Sequence, residues 1–248
     1  MEALQENEAM SSEKVVFLTG ASRGIGRAAA LLLSRHHPVA LLARDKAALE
    51  DLEKEIKAHG GRCLILPCDV TAEFNVAQAV DRVLKEFGRI DVLINNAGIG
   101  MFQRADKFSS ADFETLFKVN VYGMFYCTKY VVPSMIEKKK GLIVNISSVA
   151  GLGGFKSGSA YSATKFAVNG FTESLREDVK EFGIAVSVVC PGGVNTGFGG
   201  GSSTSRPGRD FLLEPEDVAK TLEYLVNESE TANTKMIELK PRRRPEFR

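Results

Sequence analysis

Tyr161 and Lys165 stand four residues apart in "SAYSATKFAVNGF" (159–171), a stretch otherwise made of small and apolar residues. On a helix, positions i and i+4 are neighbours, so the phenol and the ammonium would lie side by side. Both groups are costly to bury, and a helix that serves packing alone has little reason to hold them on its inner face. A free phenol titrates at about pH 10, too high for general acid–base work at neutral pH, and a nearby cation draws that value down. Such a pair would suit a tyrosine that works as general acid and base with its pKa lowered by Lys165, a role the spacing alone does not assign.

A second chemical signal is "TGASRGIG" (19–26). Gly20, Gly24 and Gly26 allow a sharp turn from strand into helix, and free amides at a helix start can hold a pyrophosphate. The spacing is G-x-x-x-G-x-G rather than the standard G-x-G-x-x-G of dinucleotide sites. The next apolar run ends "LLARD". A site of this architecture that prefers NAD usually carries an acidic residue here for the ribose 2′-hydroxyl. Ala43 stands in that place, Arg44 follows, and Arg23 lies in the glycine turn. Two guanidiniums favour a 2′-phosphate, so the expected cofactor is NADP(H). Asp45 is read as the cap of the following helix.

These groups need a frame, and the hydrophobic pattern supplies one. From Lys14 onward, runs of strand length ("VVFLTG", "VALLA", "CLILP", "DVLIN", "GLIVNIS", "IAVSVVC", "KMIEL") alternate with helical patterns over 24–36, 46–59, 73–87, 112–139, 161–182 and 215–227. Continuous Val/Ile/Leu strands call for a parallel sheet covered on both faces. The expected fold class is α/β: one Rossmann-type domain over 14–240 with a doubly wound parallel sheet of about seven strands. Its ligand crevice belongs at the carboxyl ends of the strands. The Gly/Ser-rich segment 195–213 is expected to act as a substrate lid, with Phe198, Phe211 and Leu212 giving it an apolar wall.

Of the 248 residues, 44% are hydrophobic and 25% charged, which suits a soluble protein with a full core. The net charge of +1 gives no long-range field toward nucleic acid or membranes. Four cysteines without a C-x-x-C pair predict no metal site and no disulfide, and a cytoplasmic location fits them. Residues 1–14 lack an apolar signal core, and no apolar run approaches the roughly 18 residues of a membrane span. Residues 1–13 are expected to be disordered, and the basic tail 241–248 to be a solvated end.

The motifs together resemble the short-chain dehydrogenase/reductase family. "TGASRGIG", "NNAG" (95–98), Asn120 in "KVNVYG", Ser148 in "NISS", "YSATK" and "PGGVNT" occur in that family's order, with Ser148 thirteen residues before Tyr161. The likeness covers about 15–239. It implies that Asn120, Ser148, Tyr161 and Lys165 form a catalytic tetrad. It also implies coenzyme contacts from Gly20, Ser22, Arg23, Gly24, Ile25, Gly26 and Arg44. Asp69 and Val70 would flank the adenine, followed by Asn96, Ala97, Gly98, Pro191 and Gly192. Val194 and Thr196 would hold the nicotinamide carboxamide, and Tyr161 and Lys165 the ribose beside it. Ser148 can donate to a substrate oxygen as charge grows there, and Asn120 would anchor a water that relays the proton.

The expected activity is hydride transfer between NADP(H) and a carbonyl or secondary-alcohol substrate. Reductases of acyl-carrier-protein thioesters commonly end in a Val-Asp-Gly-Gly-like tail. This chain ends "MIELKPRRRPEFR", which leans toward carbonyl or hydroxy-acid substrates. Reduction of 3-oxoacyl thioesters and a non-catalytic NADP(H) sensor are the alternatives. A serine hydrolase is excluded: the histidines are His36, His37 and His59, and no G-x-S-x-G elbow appears. Excess apolar residues at Phe113, Leu116, Phe117, Val121, Met124, Phe125, Tyr126, Tyr130 and Val131, with Phe166, Phe171 and Leu175, predict a homodimer or homotetramer.

Overall fold

The computed structural model describes residues 13–200 and 212–242. Nearly all of the expected N-terminal disorder, the middle of the expected lid with Phe211, and most of the basic tail lie outside the described residues.

Seven parallel strands form one sheet in the order β3-β2-β1-β4-β5-β6-β7. They are β1 (Val16–Thr19), β2 (Val39–Ala43), β3 (Cys63–Pro67), β4 (Val92–Asn95), β5 (Gly141–Ile146), β6 (Ile184–Pro191) and β7 (Met236–Leu239). Every run read as a strand is one. The helices are α1 (Gly24–Leu33), α2 (Lys46–Ala58), α3 (Glu73–Phe87), α4 (Ser110–Phe117), α5 (Gly123–Lys138), α6 (Ser159–Val179) and α7 (Pro215–Val226). This is the expected Rossmann-like α/β fold. Among the described residues, no helix is long and apolar enough to cross a membrane.

Alternation along the strands divides the core in two, because successive side chains point to opposite faces. Val16 and Leu18 pack with Leu33 of α1, Leu52 of α2 and Leu222 of α7. Phe17, between them in sequence, packs on the other face with Val80 of α3, Val131 of α5 and Val179 of α6. Sequence order passes from β3 to β4 across β2 and β1, so the chain reverses its winding between β1 and β4. Loops there diverge and open a crevice.

Local chemistry sets the boundaries. Asp45 accepts from Ala48 N at 3.1 Å and caps α2, as expected. Gly88, at φ +72°, ends α3 in the left-handed conformation. Pro215 opens α7 behind a reciprocal cap between Glu214 and Asp217.

The helical stretch expected over 112–139 is two helices joined by a π turn, Lys118–Tyr122, that holds Asn120. The apolar surplus also divides differently from the expectation. Leu116, Met124, Val131 and Leu175 are buried in the core, while Phe113, Tyr122, Phe125 and Phe166 are exposed. All four cysteines are free; Cys68, Cys127 and Cys190 are buried and Cys63 half-buried.

Candidate active site

The crevice is a cavity of about 740 Å³, and every residue expected at the site lines it except Gly26 and Asn120. The glycine turn forms its floor. Gly20 adopts φ +67°, a conformation that costs other residues energy. Gly26 faces inward instead, and a Cβ there would stand 2.1 Å from Gly20 O. It is the packing glycine that lets α1 start directly against the turn.

The "NNAG" segment braces this turn. Asn96 Nδ2 donates to Thr19 O at 2.9 Å and to Gly20 O at 3.2 Å. Thr19 Oγ1 accepts from the amides of Asn96 and Ala97, both at 3.0 Å. The preceding Asn95 points elsewhere: its Nδ2 donates to Asn145 Oδ1 at 2.9 Å. Asn145 Nδ2 in turn donates to Thr172 Oγ1 on α6 at 2.9 Å. Thr19 and Asn145 open the motifs "TGASRGIG" and "NISS" but take no role in the sequence reading, because bracing contacts between distant strands leave no local signature.

At one end of the cavity Arg23 and Arg44 are exposed and form no ion pair among the described residues. Arg23 caps α1 without any side-chain hydrogen bond to it, which leaves the first amides of the helix open toward a ligand. Asp69 turns one carboxylate oxygen onto Thr71, accepting from its amide at 2.9 Å and its hydroxyl at 2.8 Å.

At the other end, Tyr161 and Lys165 lie on the inner face of α6, 7% and 5% exposed. Lys165 Nζ donates to Ile146 O at the end of β5, at 2.9 Å, and lies 5.8 Å from the centroid of the Tyr161 ring. Ser148 Oγ accepts from Ala150 N at 3.1 Å and donates to Pro191 O at 3.3 Å. Asn120 sits behind the cavity wall: Oδ1 accepts from Ile99 N at 2.8 Å, and Nδ2 donates to Ile99 O and Thr164 Oγ1 at 3.0 and 3.1 Å.

The titration of Tyr161 corrects the expectation. Burial pushes its phenol up to about 12, with the Ser148 hydroxyl acting in the opposite sense. Burial also pushes Lys165 down, to about 8. An ammonium that is itself disfavoured and bonded to Ile146 O cannot offset the desolvation of the phenolate. Sequence reasoning also missed Phe102 and Phe155, which line the cavity beside Tyr161. They lie in "GMFQ" and "GGFKS", stretches without periodicity or motif.

Comparison with known proteins agrees with this geometry. The family model for short chain dehydrogenases matches residues 14–206. The chain belongs to the short-chain dehydrogenase/reductase family of oxidoreductases. It is 34% identical over 226 residues to a 3-oxoacyl-[acyl-carrier-protein] reductase of Synechocystis sp., covering 88% of this chain and 91% of that one. An alcohol dehydrogenase from the archaeon Thermococcus sibiricus, solved with 5-hydroxy-NADP, superposes with a TM-score of 0.88 at 29% identity, over 95% of this chain and all of that one. An NAD+-bound xylitol dehydrogenase is also similar, at 29% identity over 92% of this chain and 98% of its own, with a TM-score of 0.83.

Burial of the pair has a pH signature. Between about pH 8 and 10.5 the folded Lys165 holds fewer protons than the unfolded chain, so unfolding takes up a proton and stability rises with pH. From about pH 10 to 12 Tyr161 acts in reverse, since the folded phenol keeps a proton that the unfolded one has lost. The denaturation midpoint of the wild type should therefore gain on that of Lys165→Met between pH 7.5 and 9.5, a range set from those values. Parallel profiles would contradict a buried amine.

Proposed function

We propose that the chain is an NADP(H)-dependent oxidoreductase that interconverts a carbonyl compound and a secondary alcohol, with Tyr161 as general acid and base. The observation that carries this reading is the burial of Tyr161 and Lys165 in the same cavity as the glycine turn, with Ser148 lining it. Burying two titratable groups costs stability that a packing helix would avoid, which also speaks against a coenzyme sensor without chemistry.

The residues present fit a dinucleotide. The turn at Gly20, the open amides at the start of α1 and a cavity of about 740 Å³ lined from the glycine turn to Tyr161 suit a pyrophosphate and two nucleosides. When bound, a reduced nicotinamide supplies the hydride that a carbonyl carbon accepts. Ser148 exchanges its bond to Pro191 O for one to the substrate oxygen, and Tyr161 gives that oxygen its proton as negative charge develops. Lys165 supplies positive charge beside the phenolate left behind. Both side-chain amide hydrogens of Asn120 are committed to Ile99 O and Thr164 Oγ1, so they brace Ile99 and α6, and a relaying water would be held by another atom of the residue.

Arg23 and Arg44 support NADP(H) over NAD(H). The fold does not choose, since similar proteins carry one or the other. Two guanidiniums, with Ala43 rather than an acidic residue ending β2 and Asp45 turned to cap α2, favour a 2′-phosphate. A second reading, reduction of 3-oxoacyl thioesters, is supported by the Synechocystis relative. An NADPH-oxidation screen over ketones, aldehydes, 3-oxoacyl thioesters and quinones separates the two. The exposed rings of Phe113, Tyr122, Phe125 and Phe166 support pairing of copies through α4, α5 and α6.

Three outcomes are expected. Tyr161→Phe should keep its NADPH affinity while single-turnover hydride transfer falls at least about a hundredfold; near-normal transfer would refute the proton role. NADPH should bind tighter than NADH by roughly tenfold to a hundredfold, the scale of one exposed charge-assisted bond. Arg44→Ala should remove most of that gap, and equal affinities in the wild type would defeat the assignment. Light scattering at micromolar concentration should give a dimer or tetramer, whereas a monomer would remove the proposed pairing.

A further inference from the structure

Above Tyr161, two segments seat an aromatic ring on each other's glycine. Phe102 follows β4, and its ring centroid lies 5.4 Å from that of Tyr161 at 78°. Phe198 follows β6, 5.8 Å from Tyr161 at 64°. A Cβ at Gly100 would stand 2.5 Å from Phe198 Cε1, and one at Gly199 would stand 2.5 Å from Phe102 Cε2. Each ring therefore occupies the space a side chain would need at the glycine near the other ring, and any larger residue at either glycine would push a ring away. Phe155, from the loop before α6, extends the wall at 5.8 Å from Phe102. These rings are 42%, 39% and 49% exposed, so each keeps surface free to cover a ligand. Around them the cavity is completed by Ile99 and Val149, and among the described residues Lys165 is the one charged side chain at this end.

We propose that Phe102, Phe155 and Phe198 determine substrate class, selecting an uncharged carbonyl compound with a flat apolar group and rejecting carboxylates. The inference rests on the reading of Tyr161 as proton donor. Edge and face contacts with three rings favour an aryl or cyclic substituent. A carboxylate set among them loses its hydration, and among the described residues lining this end Lys165, one of whose donors is held by Ile146 O, is the one cation left to offset that loss. Of the carbonyl and hydroxy-acid substrates expected from the C-terminal sequence, the proposal keeps the first class.

Methyl benzoylformate and benzoylformate share a ketone and a phenyl ring and differ in charge, which isolates the effect. On reduction the keto carbon gains the hydride of NADPH, the oxygen gains the proton of Tyr161, and NADP+ is released. The ester should exceed the acid in kcat/KM by about a hundredfold or more, the scale of an unpaired buried charge. Phe102→Leu and Phe198→Leu should each cost the ester about tenfold, mainly in KM, with NADPH affinity unchanged. A readout without turnover keeps the two readings apart: both compounds are titrated into the NADPH complex of Tyr161→Phe, followed by nicotinamide fluorescence. Preferential binding of the ester there supports the aromatic wall even if the wild type turns over neither compound, a result that would instead sink the proton role of Tyr161. Equal affinity for acid and ester, binding of neither, or ester affinity unmoved by both Phe→Leu changes overturns the wall.

Discussion

The bond from Lys165 Nζ to Ile146 O is the contact around which the site is assembled. An ammonium can be kept in a nearly dry wall only if its acceptor is fixed, and the acceptor here is the last carbonyl of a central strand. Holding α6 at that distance from β5 takes further polar contacts along the same seam. Asn145 reaches Thr172, Ser147 Oγ donates to Lys165 O at 3.3 Å, and Asn169 Nδ2 donates to Gly151 O at 2.9 Å. Buried groups like these are expensive unless satisfied, and satisfied they specify a single register between helix and strand. The polar inner face of α6, poor material for a core, is thus the means by which Tyr161 is aimed.

The two titratable groups of that face are pushed in opposite directions, the phenol up and the amine down. A single cause, loss of water, produces both shifts, because it disfavours whichever form is charged. Proximity of a lysine to a tyrosine is therefore not by itself an activated tyrosine. What the fold supplies is a pair in which burial disfavours each charged form, the phenol staying neutral and Lys165 remaining an ammonium below about pH 8, so that any positive charge brought close to the phenol changes its protonation strongly. Low polarity amplifies the response as well as the cost.

Most of the frame was legible in the sequence. Seven strand-length apolar runs became seven strands, and the capping role of Asp45 needed nothing beyond its position. The glycine turn, Arg23, Arg44 and the tyrosine–lysine pair were legible because each is a short-range pattern with a mechanical meaning. Three features were not. The π turn at Asn120 went unread because its one extra residue only shifts the apolar stripe by about 100°, a shift hidden in a run that is densely apolar on both sides of it. The core positions of Leu116, Met124, Val131 and Leu175 depend on which neighbours arrive, and a helix flanked on several sides shows no single stripe. The titration of Tyr161 depends on exclusion of water by Phe102 and Phe198, which lie far from it in the chain.

The two ends of the cavity obey different physics, and this separation has a consequence for the family. At the end bounded by Arg23 and Arg44, the lining is charged, solvent-facing and fixed by the first two βα units. At the Tyr161 end it is apolar, and its residues come from the loops after β4, β5 and β6. Nothing in the packing couples Arg44 to Phe102 or Phe155: they belong to separate segments joined only by the rigid sheet. Coenzyme choice and substrate choice can then change independently while β5, α6 and their seam of polar contacts stay intact. A chain can accordingly share about a third of its residues with a thioester reductase and superpose closely on an alcohol dehydrogenase. On the proposed reading, β5 and α6 aim the tyrosine, and the loops after β4, β5 and β6 decide what is brought to it.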